Sequence, residues 1–367
     1  MKFRVSDGAR FFLVGQRKTI FVEPAQQIFE VDDLTAYLTC NLVEALSFQQ
    51  MVSDLVGRGL ARGPASAFVK RYLRSWSRQG LLDVVLDEND GQPVHTHVLD
   101  LATTTAAIAY YDRKVRDLFL PVFDHLAAPG AQAALAYDVA RFGDRVCIRR
   151  NGSRAMIVTA AEAAPALKGL LTEDALGAVG TDVALHGALL VKNARSLLIC
   201  GAPGAGKTTL ALALVAAGFD CGGDDIALMD GRGLVRGVPF APALKSGSWD
   251  LLDGLRDAIM ACPVHRRLDN KRVRYLAPVR YAPREHVPLH TIVLIRRRKE
   301  GPAVISAVEP VQALSELLSG AFTPERRLDV MQFQSLLNAV SGARLVELTF
   351  SRLDEAVAIL SRYHEEG

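Results

Sequence analysis

Cysteine is scarce in this chain of 367 residues, and its arrangement excludes more than its number does. Cys40, Cys147, Cys200, Cys221 and Cys262 are scattered, with no CxxC pair and no Cys/His spacing of the kind that holds zinc. No disulfide framework is indicated either, so they read as small apolar residues of a reducing compartment. No charge-free stretch reaches the ~18 residues that suggest a membrane span, and Met1 to Asp7 lacks the apolar core of a signal peptide. An excess of charge is missing too: the formal value of +3 is too small to imply a nucleic-acid partner. The expectation is a cytoplasmic protein with no membrane partner.

What is there is organised around Leu197 to Asp225. An apolar strand, Ser196 to Cys200, meets Gly201, Ala202, Pro203, Gly204, Ala205, Gly206, Lys207 and Thr208, and an apolar helical pattern follows from Leu210 to Ala217. Strand, glycine-rich loop and helix in that order form a phosphate cradle. The glycines let backbone N–H groups approach a polyphosphate without Cβ atoms in the way, and the helix N-terminus adds positive potential. Lys207 is expected on the outer phosphates, and the Thr208 hydroxyl on a bridging Mg²⁺. Thr209 completes the nucleotide-binding run. The cofactors expected are ATP and Mg²⁺.

Gly218 ends the helix, and Asp224 and Asp225 arrive seventeen residues after Lys207, leading into a strand from Ile226 to Met229. A strand returning beside the first brings both acids to the loop. Two carboxylates at a Mg-nucleotide can divide the work: one holds the metal, for which Thr208 and Asp224 are expected, and one, either Asp225 or Asp224, takes a proton from an attacking hydroxyl. The alternative is a plain Gly-Gly-Asp-Asp turn.

Together Leu185 to Val191 (LHGALLV), the GAPGAGKTT loop and Ala216 to Leu228 (AAGFDCGGDDIAL) resemble the catalytic domain of HPr kinase/phosphorylase. The likeness is closer still to kinases encoded with ribosomally made peptides, including lasso-peptide kinases. It covers about the last half of the chain. It implies an α/β fold with a phosphoenolpyruvate-carboxykinase-like mixed sheet, and catalytic roles for His186 by the γ-phosphate and for the Asp224–Asp225 pair. Pro242 to Ser246 is similar to a Pro-x-x-Leu-Lys stretch of these kinases, which implies that Lys245 reaches the site. Thr209 stands where the bifunctional enzymes commonly carry Glu, and the Leu-Glu-Ile-Arg-Gly segment associated with dephosphorylation has no counterpart. Kinase chemistry is favoured over phosphorylase chemistry. Related kinases often form rings, so a homo-oligomer is compatible with the likeness.

Before the catalytic region, Phe11–Val14, Thr19–Val22 and Gln27–Val31 predict three short strands, with turns at Gly15–Lys18 and Glu23–Ala25. Three helices are predicted to begin near Asp32, Ser47 and Pro64. In the third, Phe68, Val69, Tyr72, Leu73 and Trp76 form an apolar stripe, and Lys70, Arg71, Arg74 and Arg78 occupy other faces. This winged-helix-like module over 1–86 resembles the PqqD-like element that binds leader peptides. The matching features are Phe29 to Asp32, Leu34 and Leu38, the basic third helix, and Gln79 to Leu82. The resemblance implies a precursor peptide held by its leader near Gln27–Val31 and Pro64–Gln79. A solvated basic face and a DNA-reading helix are the alternatives.

Asp87 to Pro93 predicts a linker, and 94–180 an α+β accessory lobe with strands at His97–Leu101, Val146–Arg149 and Ala155–Val158 and helices at Arg113–Leu126 and Ala161–Leu171. The catalytic domain is expected over 181–367. Within it, a helix at Ser248–Ala261 precedes the basic run His265–Tyr275, where Arg272 and Arg274 are candidates to neutralise phosphoryl charge or to dock an acidic substrate. Further helices are predicted at Val311–Leu318, Glu325–Val340 and Leu353–Tyr363. The function expected is an ATP-dependent Ser/Thr kinase acting on a peptide or small protein. A regulatory ATPase and a DNA-binding regulator are the rivals.

Overall fold

The computed structural model of the protein describes residues 1–23, 26–85, 91–150, 154–180, 182–322 and 327–366. Its contacts separate two units: residues 1–98, 106–119 and 129–167 make the first, and 99–105, 120–128 and 168–367 the second.

The first unit opens with β1 (Lys2–Val5), which the sequence reading missed. Then β2 (Ala9–Val14), β3 (Arg17–Val22) and β4 (Gln27–Glu30) form a small antiparallel sheet of their own. Helices α1 (Asp33–Asn41), α2 (Phe48–Gly57) and α3 (Arg62–Arg78) follow, with the two-residue β5 (Leu46–Ser47) before the second. Their starts have a chemical cause. Asp32 accepts from the Thr35 amide, and Ser47 and Gln50 make a reciprocal capping box.

This module is not closed by itself. It continues through β6 (Leu82–Val85), β7 (His95–Asp100), β8 (Thr105–Tyr110), β9 (Leu135–Phe142), β10 (Arg145–Arg150) and β11 (Arg154–Thr159). These strands join the first into one eight-stranded sheet, ordered β5-β1-β6-β11-β10-β9-β8-β7. Cys147, Ala155 and Ile157 share a core with Phe3, Leu38, Leu55 and Leu73. The three helices expected to end a module near 86 thus complete their core with strands from the expected accessory lobe. Asp87–Asp90 of the expected linker, and Pro24–Ala25 of the expected turn, lie outside the described residues. The helix expected at Arg113–Leu126 is broken into α4 (Arg113–Arg116), α5 (Leu120–Phe123) and a 3₁₀ turn at Asp124–Leu126. Pro121, lacking an amide donor, suits the opening turn of a new helix and not the middle of an old one.

Three of the five cations of α3 are already paired, Lys70 lying 3.9 Å from Asp144. Arg74 and Arg78 reach the buried carboxylate of Glu162 at 3.2 and 3.0 Å. Burial alone would raise its pKa, but the amide and hydroxyl of Thr159, with Arg78 and Arg74, bring it down to about 2. Glu162 lies on α6 (Ala160–Gly177), whose residues to 167 belong to the first unit and from 168 to the second.

The second unit begins with β12 (Val183–His186), β13 (Ala188–Lys192), β14 (Arg195–Cys200), α7 (Lys207–Ala216), β15 (Asp220–Gly223), β16 (Ile226–Met229), β17 (Leu234–Gly237) and β18 (Ala243–Lys245). It continues with α8 (Arg256–Ala261), β19 (His265–Arg266), β20 (Arg272–Tyr275), β21 (Val287–Pro288), β22 (Thr291–Arg297) and β23 (Val304–Ala307). It closes with α9 (Pro310–Ser319), β24 (Ala321–Phe322), α10 (Val330–Gly342), β25 (Arg344–Phe350) and α11 (Leu353–Glu366). The helix expected at Ser248–Ala261 is only its last turn and a half, after two 3₁₀ turns at Ser246–Ser248 and Asp253–Leu255.

The central sheet is mixed, in the order β15-β13-β14-β22-β25-β23, with β14, β22 and β25 parallel and the outer pairs antiparallel. Its two central parallel strands, β14 and β22, are apolar on both faces over most of their length, as helices on either side require. Leu197, Ile199, Val293 and Ile295 pack with Leu210 and Leu214 of α7 and Leu360 of α11. Leu198, Ile292 and Leu294 meet Leu314, Leu317, Leu336 and Val340 of α9 and α10 on the other. Each such aliphatic side chain contributes roughly 1.5–3 kcal/mol on burial. A second sheet, β21-β17-β16-β12-β24, is antiparallel throughout, and β18-β20-β19 makes a third. One expectation about connectivity is corrected: after α7 the chain returns as β15 beside β13 and not beside β14. Among the described residues no helix is long and apolar enough to cross a membrane.

Candidate active site

β14 ends at Cys200 and hands the chain to the loop, whose shape only glycine permits at two points. Gly201 has φ +153°, and a Cβ there would stand 2.9 Å from Ile295 Cγ1. Gly206 has φ +102° and is the residue from which α7 starts. The Ala205 amide donates to the Ala202 carbonyl at 3.1 Å, curling Ala202, Pro203 and Gly204 into a turn. Lys207 is buried, and its Nζ donates to the Gly201 carbonyl at 2.7 Å. Burial holds its pKa below the usual lysine range. In that posture the ammonium already spans the loop in which a phosphate would sit.

From the next residue, Thr208 Oγ1 donates to Asp224 Oδ2 at 3.0 Å. Asp224 is 3% exposed, and its Oδ1 is buried without a hydrogen-bond partner. Burial and then the neighbouring Asp225 push its carboxyl up to about 7. A hydroxyl beside a buried carboxylate with an unused oxygen fits a hard, oxygen-seeking divalent cation such as Mg²⁺.

The acids reach this place through strands packed at backbone distance. A Cβ on Gly223 would lie 2.6 Å from the Val238 carbonyl, and one on Gly237 would lie 1.9 Å from that of Gly222. Gly222 and Gly223 are thus strand residues and not the turn of the alternative reading. Pairing of β12 with β16 sets His186 opposite Ile226, and its Nδ1 lies 3.1 Å from the Asp225 carbonyl oxygen. Desolvation and then Lys207 hold this imidazole below its ordinary pKa, against the pull of Asp225.

Asp225 carries the feature that sequence reasoning missed. Its Oδ2 accepts from Lys168 Nζ at 3.0 Å, and the lysine side chain is 11% exposed where the aspartate is 46% exposed. The ammonium lies 5.6 Å from the ring centroids of both Phe240 and Tyr275. Burial disfavours its charge, yet Asp225, Tyr275 and Asp224 outweigh that and raise its pKa. In return Lys168, first among several cations, keeps Asp225 below the usual carboxylate range.

The basic run forms a hairpin, with β20 between β18 and β19. Lys245 pairs with Val273, and its charge reaches Lys207 of the loop. Arg272 and Arg274 do not: their guanidinium groups lie 5.5 and 4.6 Å from the Trp249 ring centroid, and Arg274 also donates to the Met260 and Cys262 carbonyls. The arginine whose charge reaches Asp225 is Arg267. Alternation along β20 puts residues 272 and 274 on one face, a signal that could have paired them with Trp249. Thr209 is buried, and with Gly204, Leu252, Arg297, Phe350 and Leu353 it lines a cavity of 770 Å³. That volume suits a small-molecule ligand, for which ~300–1,000 Å³ is usual.

No family model and no curated protein matches this sequence. Among solved structures, the HPr(Ser) kinase/phosphatase from Coxiella burnetii aligns over 50% of this chain and 99% of its own, with 12% identity and a TM-score of 0.24. A likeness that slight carries no weight beside the geometry above.

Proposed function

We propose that this protein is an ATP-dependent kinase that phosphorylates a serine or threonine hydroxyl of a peptide or small protein. The observation that carries the reading is the Thr208–Asp224 hydrogen bond at the mouth of a glycine cradle, with a second carboxylate, Asp225, beside it. Gly201 to Thr208 binds the phosphates, and the 770 Å³ cavity at the start of α7 takes the nucleoside. Mg²⁺ held by Thr208 and Asp224 would neutralise charge on the phosphate oxygens. Asp225 orients the acceptor hydroxyl and takes its proton. A weakly basic carboxylate suffices, because little charge builds on the attacking oxygen in a loose phosphoryl-transfer transition state. Lys207, His186 and Lys245 steady the transferred group.

For the acceptor, the reading is a precursor peptide held through its leader. Its support is the edge strand β4 with Ile28 exposed, open to strand addition, and Phe29 set edge-on against Trp76 at 5.3 Å. Lys70 and Arg71 are exposed cations of α3 that favour an acidic leader, with Lys70 also 3.9 Å from Asp144, whereas Arg74 and Arg78 serve Glu162. Tethering raises the local concentration of a weakly bound acceptor. Incubation with Mg-ATP and candidate peptides, with and without leader, tests this. Phosphate on the leader-bearing peptide is the expected result, and phosphate released only to solution would replace the kinase with an ATPase.

A further inference from the structure

Lys168 has no place in the chemistry above, although it is, with Lys207, one of two buried lysines near the acids. It is 9% exposed, held by two aromatic rings, and bonded to one oxygen of a carboxylate that is itself half open to solvent. Asp225 Oδ1 has no hydrogen-bond donor among the described residues, so one oxygen is clamped and the other is available. A buried ammonium that served stability alone would be expected to lock both oxygens, or to pair with an equally buried partner, since desolvating it is costly. Here the enclosed partner is the lysine, and the aspartate, next in sequence to Asp224 and with its carbonyl 3.1 Å from His186 Nδ1, is the half-exposed one.

We infer that Lys168 is a positioning residue for phosphoryl transfer: by gripping Oδ2 from beneath, it fixes the rotamer of Asp225 so that Oδ1 is presented to the acceptor. The inference rests on the kinase reading. In the step it serves, the acceptor O–H proton passes to Asp225 Oδ1 and the acceptor oxygen bonds to the γ-phosphorus. The bond from that phosphorus to the bridging oxygen breaks, and its electron pair leaves with ADP. Lys168 neither gains nor loses a proton. It removes freedom from a carboxylate that would otherwise rotate, and small errors of placement at a reacting centre are expensive.

A double-mutant cycle of full-length Lys168→Met, Asp225→Asn and the double variant, with Lys168→Arg as the conservative control, tests this. Lys168→Met should lower kcat about 10- to 100-fold with the affinity for Mg-ATP changed less than about twofold, adding little once Asp225 is Asn. Lys168→Arg should recover part of the loss. Equal fractional losses from Lys168→Met in both Asp225 backgrounds, or a loss appearing in nucleotide affinity alone, would overturn it. Urea unfolding of the same variants gives a readout without activity: coupling in stability but none in kcat makes Lys168 a structural tether only, and also overturns it. If the wild type phosphorylates no peptide yet hydrolyses Mg-ATP, the kinase reading fails on its own. The cycle is then read on hydrolysis, where coupled loss still upholds Lys168 as the residue that sets Asp225. A wild type that neither transfers nor hydrolyses sinks both.

Discussion

Thr208 Oγ1 and Asp224 Oδ2 lie 3.0 Å apart, joining the last residue of the glycine loop to a carboxylate sixteen positions on. The contact links two segments that meet only through the return of the chain after α7. It also leaves Asp224 Oδ1 buried and unbonded, a vacancy with a definite chemical preference.

The first prediction concerns Mg²⁺. Asp224→Asn should weaken Mg²⁺-dependent nucleotide binding about 10- to 100-fold, the loss expected for a charged contact of ~1.5–3 kcal/mol. Binding without Mg²⁺ should change little. Titration calorimetry at two Mg²⁺ concentrations measures both, and equal losses would remove Asp224 from the metal site.

The same carboxyl predicts a pH dependence. Its ordinary pKa of 3.8 rises to about 7 in the folded protein, so between those values the folded state binds the extra proton. Stability without Mg²⁺ should therefore fall as pH rises from about 4 through about 7, and that part of the slope should vanish in Asp224→Asn. Urea midpoints across this range are the measurement. Mg²⁺ competes with the proton, so its affinity should weaken below pH 7.

Glu162 should act in the opposite sense. Its pKa falls from 4.5 to about 2, so its stabilising effect is complete above 4.5 and disappears as pH drops toward 2. Glu162→Gln should flatten that acid limb and leave Arg74 and Arg78 without their partner, lowering the midpoint at neutral pH. Thermal unfolding at pH 3 and pH 7 compares them.

Gly201→Ala should both destabilise the fold and abolish nucleotide binding. The new methyl would meet Ile295 at 2.9 Å on a backbone with φ +153°. Overpacking of this kind costs about 1–3 kcal/mol. Gly204→Ala, where nothing lies within 4 Å but φ is +89°, should be milder toward packing. A denaturation curve and a nucleotide titration on each variant separate packing from backbone strain.

Lys207→Met offers a contrast in which binding and stability part. The lysine gives one bond to the Gly201 carbonyl, so its loss should shift the unfolding midpoint little while nucleotide affinity drops by about two orders of magnitude.

The loop and the acids were legible because their meaning is local. Gly201 to Thr208 needs only a strand before it and a helix after it, and Asp224 and Asp225 follow within one short connection. The pairing Lys168–Asp225 spans 57 positions and begins in an Ala-rich helix, where one lysine carries no periodic signal. Arg272 and Arg274 were singled out because a basic run does not declare which of its cations will pack on a ring, as these two do on Trp249. β1 was missed since four residues seldom announce a strand, and its place depends on β5 and β6 at either side. For a related reason, sequence shows where a linker could run, but not that Phe3 and Ile157 share one core.

The close crossing at Gly222, Gly223 and Gly237 has a consequence for how this protein tolerates change. At Gly223 and Gly237 main chain rests directly on main chain, so no side chain can shrink or rotate to absorb an intrusion, and even one added methyl must displace a strand. Since Asp224 and Asp225 continue from that strand, such a displacement would be delivered to both acids at once. Their spacing is inherited from bare backbone, and a fault introduced at Gly237 should be felt as lost catalysis before it is felt as unfolding.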